Sequence, residues 1–127
     1  MKNSLRLSIT AFLLVVSANA DAQCADAGAV YSFTYDGRTY EVIQENKTWL
    51  AAAACAVERG GHLAEINSAE EQAAIFTQIT NLQIDPNDTE APDGFSSYVW
   101  IGGNDILEEG KWIWDGNNDA VSAQFWQ

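Results

Sequence analysis

Positive charge is what this sequence has least of. Lys and Arg number 6 against 18 Asp and Glu, for a formal net charge of −12. An acidic chain repels nucleic acid and anionic lipid at long range, so nucleic-acid binding is excluded as a partner class. Histidine occurs once, at His62, and cysteine twice, at Cys24 and Cys55. A zinc centre needs about four closely spaced nitrogen or sulfur ligands, and the chain has no such set. No stretch approaches the roughly 20 apolar residues needed to cross a bilayer, which argues against membrane insertion. The lone histidine also leaves no local nucleophile–base–orienter constellation, and the chain is read as non-enzymatic. The acid pairs Glu70-Glu71 and Glu108-Glu109 lack the apolar surroundings that raise a catalytic carboxyl pKa.

The start of the chain has the pattern of an export signal. Lys2 and Arg6 precede a mainly apolar run at 7–16, followed by a small-residue cleavage site, Ala18-Asn-Ala20. That order predicts a secretory signal peptide over residues 1–20 and a domain over 21–127, with the leader outside the fold. The product would be secreted, periplasmic or extracellular. Cleavage leaves four basic side chains (Arg38, Lys47, Arg59 and Lys111) against all the acids. Such a surface is soluble and attracts cations. Export makes a disulfide between Cys24 and Cys55 chemically feasible, closing a loop worth roughly 3–4 kcal/mol. Either thiol could instead pair with a cysteine beyond residue 127.

Local patterns then set out the domain. Residues 31–35 alternate aromatic and small polar side chains, Asp36-Gly37 suits a type I′ turn, and 38–43 return, which predicts a β-hairpin. Thr48 is placed to cap a helix rich in alanine, and Gly60-Gly61 to end it. An extended segment at 62–66 offers Leu63 and Ile66 to the core. Ser68 and Glu71 form a capping box for a second helix, with Ile75, Ile79, Leu82 and Phe76 directed at the sheet. A loop at 83–97 carries acids and two prolines. Its Asp85-Pro-Asn87 only faintly suggests a calcium loop, since the EF-hand glycine and final glutamate are absent. The apolar strings Val99-Trp100-Ile101 and Lys111-Trp112-Ile113-Trp114 predict buried strands whose tryptophans belong to the core. Trp126 is the candidate for stacking on a sugar. His62, within a glycine segment, is read as a hydrogen-bonded structural residue.

The order of these pieces resembles the C-type lectin-like domain. The matching motifs are Thr48-Trp49 with Cys55 in the first helix, Gly60-Gly61-His62-Leu63-Ala64-Glu65-Ile66, Ser68 with Glu71, Trp100-Ile101-Gly102-Gly103, and Gly110-x-Trp112-x-Trp114. Position 103 departs from the family, which usually has an apolar residue there. The resemblance implies an α+β fold with an N-terminal β-hairpin, two helices and a small antiparallel sheet. It covers about the first two-thirds of such a domain, so the long ligand-binding loop and final strand are expected to be missing. It implies that Cys55 bonds a cysteine near the domain's end. It also implies a secreted recognition or adhesion module, with a carbohydrate or a protein surface as ligand and calcium as the cation. The family's sugar-site triplets do not occur in the chain. Asp105 and Glu109 occupy the positions of an auxiliary calcium site, and two carboxylates supply only part of the roughly six to eight oxygens Ca²⁺ takes. The alternatives are calcium-independent binding to a protein or surface and, last, a module of a secreted hydrolase.

Overall fold

The structure is a computed structural model that describes residues 11–16, 23–83 and 99–120, and the backbone of 124–126. Strands β2 (Val30–Tyr35) and β3 (Arg38–Ile43) form the expected hairpin. Asp36 and Gly37 at its tip both have positive φ, 49° and 73°, as a type I′ turn requires. Helix α1 (Trp49–Glu58) begins where the Thr48 hydroxyl accepts from the Ala51 amide at 3.1 Å. It ends at Gly60, whose φ of +90° suits the left-handed position after a helix. Strand β4 (Gly61–Leu63) and helix α2 (Ala69–Asn81) follow. The α2 capping box differs in one bond from the sequence reading. Ser68 accepts from the Glu71 amide at 3.0 Å, but the Glu71 carboxylate reaches the amide of Asn67 at 2.9 Å rather than that of Ser68.

The main departure lies at the start of the chain. The apolar run expected to stand outside the domain supplies β1 (Ala11–Val16), the central strand of the larger sheet. The sheet order is β2-β3-β1-β4, and β5 (Val99–Trp100) also pairs with β1. β1 is antiparallel to β3, with Leu14 opposite Glu41, and antiparallel to β4, with Leu14 opposite Leu63. The edge of β3 away from β2 is thus paired along five residue pairs. The ambiguity is physical: a short uncharged apolar run suits a signal core and a strand buried on both faces equally well.

Alternate β1 side chains enter two cores. Phe12, Leu14 and Val16 pack with Ile43, Leu63 and the buried alanines of α1. Ala11 and Leu13 pack with Tyr40, Val42, Ala64 and Ile75. On α2 only Ile75 is fully buried among the predicted apolar face; Ile79 and Leu82 are partly buried, and Phe76 is 64% exposed. Phe76 follows the buried Ile75 by one residue, about 100° round a helix of 3.6 residues per turn, which turns it to the solvent side. Cys24 and Cys55 form a disulfide with Cα atoms 5.5 Å apart, which decides between the pairings left open by the sequence.

Two polar contacts tie the helices to β3. The Arg59 guanidinium donates to both Glu41 carboxylate oxygens, at 2.6 and 3.1 Å, with both side chains largely buried. That carboxylate raises the Arg59 pKa. The Tyr40 hydroxyl donates to Glu71 Oε1 at 2.6 Å. Burial first, and then the Glu71 carboxylate, push the Tyr40 pKa up to about 12. Among the described residues no helix is long and apolar enough to cross a membrane.

Candidate functional site

The second sheet, β6 (Gly103–Asn104), β7 (Trp112–Trp114) and β8 (Gln124–Trp126), is held against β4 by two glycines. A β-carbon on Gly116 would lie 2.2 Å from the Leu63 carbonyl oxygen, and one on Gly102 would lie 2.8 Å from the same atom. Their bare backbones allow bonds from Leu63 N to Gly116 O at 3.0 Å and from Gly102 N to Ala64 O at 2.9 Å. Asp115, nearly buried, closes the turn after β7 by accepting from the Asp119 and Ala120 amides. Leu63, Gly102 and Gly116 thus meet in one place, although they are scattered in sequence.

This packing brings the tip of α1 against β5 and β6. The Trp49 indole N–H donates to Ile101 O at 2.9 Å, and the Trp100 indole N–H donates to Lys47 O at 2.9 Å. The two bonds cross-brace the helix start and the strand. They also give each half-buried tryptophan the polar partner its N–H requires. The sequence assigned Trp100, Trp112 and Trp114 to the core. In the structure Ile113 takes the buried place and these three are half-buried. Trp126 has no described side chain, so the stacking role offered for it lies outside the described residues.

Trp49, Trp100 and Trp112 line a cleft of about 270 Å³ together with Thr48, Asn104 and Asp105. Leu50 and Ile106 form its exposed apolar rim, at 56% and 61% accessibility. Asn104 is buried; its Oδ1 accepts from the Ile106 amide at 3.1 Å, and its Nδ2 has no hydrogen-bond partner. The sequence reading passed over Asn104. Its one signal was position, directly between the strand motif and the acidic loop.

Asp105 and Glu109 fall in the loop between β6 and β7. Asp105 Oδ2 accepts from Gly110 N at 3.1 Å, and Gly110 takes a φ of +83° to present that amide. Glu109 is exposed. Glu108 is engaged with Lys111 at 2.6 Å, an exposed pair worth little to stability. Among the described residues no three of His, Cys, Asp and Glu lie close enough together to hold a metal ion. The two carboxylates have the hard oxygens that calcium takes, but they do not make a complete shell. The other acidic candidates, in residues 84–98, lie outside the described set.

His62 sits apart from this cleft. Its Nδ1 is 2.8 Å from the Leu63 carbonyl oxygen, which accepts from it, and it lines a separate cleft of about 330 Å³ with Val15, Arg38, Glu65 and Asn67.

The profile of the Lectin C-type domain matches residues 44–127, more than half of the chain. The chain belongs to the C-type lectin domain family. The chain is 32% identical to the galactose-specific lectin nattectin of Thalassophryne nattereri over 83 residues, covering 65% of this chain and 46% of nattectin. It is 30% identical to lectin BRA-3 of Megabalanus rosa over 128 residues, covering 99% of this chain and 69% of BRA-3. It is also 36% identical to a type-2 ice-structuring protein of Hemitripterus americanus over 67 residues, covering 53% of this chain and 31% of that protein. The chain thus spans about half the length of nattectin and about two-thirds that of BRA-3. No solved structure matches at comparable significance.

Proposed function

We propose that this lectin domain is a secreted, non-enzymatic recognition module that binds a carbohydrate at the cleft between α1 and β6, with calcium assisting from the loop that follows. The braced tryptophan wall carries this reading. Half-buried indoles whose N–H groups are already bonded present fixed apolar faces, and the C–H face of a sugar ring stacks on such a surface. The Asp105 carboxylate stands beside that wall as an acceptor for hydroxyl groups. Asp105 and Glu109 would contribute oxygens to a Ca²⁺ shell completed by water and by residues outside the described set. The galactose specificity in nattectin's name supports a sugar as the ligand class.

A glycan array probed with the full chain, with calcium and with chelator, tests the reading. Retained sugars that are lost on Trp112→Ala support it. Binding of no glycan under either condition overturns it.

The second reading is calcium-independent contact with a protein or surface. It is favoured by the apolar rim of Leu50, Ile106 and Leu107, and by a relative whose name describes ice structuring. Chelator-resistant binding to a non-sugar surface would select it. Localisation outside the cytoplasm rests on the leader pattern of residues 1–20.

A further inference from the structure

The outer edge of the larger sheet is a strand that carries nothing to keep another strand away. β2 (Val30–Tyr35) ends the order β2-β3-β1-β4, and among the described residues it pairs with β3 alone. Edge strands are normally guarded by a charge, a proline, a bulge or shortness. β2 reads Val-Tyr-Ser-Phe-Thr-Tyr, six residues with no charge and no proline. Its register with β3 runs from Val30–Ile43 to Tyr35–Arg38 without a shift. The turn at Asp36-Gly37 fixes which backbone groups face outward. Tyr35 and Arg38 flank a two-residue loop, so their amide and carbonyl groups bond each other, and so do those of Phe33–Tyr40 and Tyr31–Val42. The bond from Gln44 N to Ala29 O, at 3.0 Å, continues the same alternation. The N–H and C=O groups of Val30, Ser32 and Thr34 therefore point away from the sheet. The side chains of Ser32 and Thr34 are exposed.

We infer that a second copy of this chain adds along β2, antiparallel and with Ser32 opposite Ser32 of the second copy, so that the two larger sheets join into one across a two-fold axis. The outward groups decide the register. They are evenly spaced about Ser32, and an axis there sets Val30 opposite Thr34 of the second copy, which brings every outward pair into a hydrogen-bonded position. The edge is thus complementary to itself, as a two-fold contact requires. The intervening positions set Tyr31 against Phe33 of the second copy at the closer, non-bonded spacing, where aromatic pairs add to the ladder. Both rings are already anchored. The Tyr31 hydroxyl donates to Gln78 Oε1 at 3.0 Å, and Phe33 stacks on Tyr40 with centroids 5.1 Å apart. Charge does not oppose the contact locally: Asp36 falls opposite Gly28 of the second copy, and no acid faces an acid along the strand. The net charge of −12 acts against pairing at long range, so the dimer tightens as salt screens that repulsion.

Sedimentation of the full chain over a concentration series, at low and high salt, tests the pairing. The expected result is a monomer–dimer equilibrium that strengthens with salt. Ser32→Pro removes an outward amide and leaves the ladder to β3 intact, and it should weaken the dimer roughly 10-fold or more. Thr34→Lys places a charge on the edge through an exposed side chain, should act in the same direction, and stands in if the proline variant does not melt cooperatively. A monomer at every concentration in both salts overturns the inference. So does a dimer that neither variant weakens, or one that salt loosens, since ion pairs elsewhere would then hold it. Cross-linking tests the register. Residues facing each other at a bonded position have Cα atoms about 5.5 Å apart, within reach of a disulfide. Under mild oxidation Ser32→Cys should therefore link one chain to another, whereas Thr34→Cys, displaced along the strand from its counterpart, should not. Equal linking of both variants, or of neither, overturns the pairing.

Discussion

Gly61 faces the carbonyl of Val15 so closely that a β-carbon on the glycine would lie 1.5 Å from that oxygen. The obstacle is backbone on a central strand, which cannot turn aside as a flexible side chain would. Gly61→Ala is therefore expected to lose about 3 kcal/mol or more of stability, as overpacked buried sites do. Gly28→Ala, whose new carbon meets only Asp26 Oδ1 at 3.7 Å, should stay within about 0.5 kcal/mol of the parent. Urea unfolding of the two variants checks the contrast. Similar midpoints for both would show that β1 does not press on β4.

The Arg59–Glu41 pair makes a second prediction. Glu41 lies within the larger sheet and is only 5% exposed. Arg59→Met removes its bidentate partner and leaves a buried carboxylate uncompensated, at a cost of about 3–5 kcal/mol. The double variant Arg59→Met with Glu41→Leu should recover most of that loss, because the charge is then gone as well. Chemical denaturation of the single and double variants measures both values. A single variant as stable as the parent would mean that water already solvates the pair.

These two sites show why the fold was only partly legible beforehand. The sequence left the Cys24–Cys55 pairing open, whereas the hairpin and both helix caps follow from chemistry within a few residues: Asp36-Gly37, Thr48 and Ser68. The central strand does not. An apolar run reads the same whether it is a signal core or a strand buried on both faces, and its pairing with β3 and β4 depends on partners distant in sequence. Similarly, the sequence announces Trp100 and Trp112 as apolar. Which ring edge meets Lys47, and which face is left to line a cleft, depends on how α1 docks on β5. Asn104 was illegible because its importance lies in an Nδ2 without a partner, which no sequence pattern records.

The Tyr40–Glu71 contact makes stability depend on alkaline pH. The Tyr40 pKa rises from 10.0 to about 12 on folding, chiefly through burial and then through the Glu71 carboxylate, with Arg38 opposing. The folded state thus holds the phenol proton more tightly than the unfolded one. Its contribution is complete below pH 10 and is lost as pH climbs through about 12. Glu71→Gln removes the charge and should lower the Tyr40 pKa, moving the loss to lower pH. Absorbance titration at alkaline pH reads the ionisation, and Tyr40→Phe identifies which of the four tyrosines is responsible. A Tyr40 that titrates near 10.0 would contradict the buried contact.

The last prediction concerns the cleft and its loop. If Asp105 and Glu109 help to hold calcium, the full chain should melt at a higher temperature with Ca²⁺ than with chelator, since an ion bound only by the native state stabilises it. Asp105→Asn should reduce the shift most. It removes a charge and also weakens the acceptor for the Gly110 amide that shapes the loop. Glu109→Gln should reduce the shift without altering the melt in chelator, because its exposed side chain supports no described contact. Glu108→Gln, which breaks only the exposed pair with Lys111, should leave the shift intact. Trp112→Ala separates the metal from the ligand: it should retain the calcium shift and lose sugar binding, because the ring lines the cleft and carries no oxygen to offer the ion. A calcium shift that persists in the Asp105→Asn, Glu109→Gln double variant would place the ion elsewhere in the chain, and sugar binding that survived Trp112→Ala would move the ligand away from the cleft.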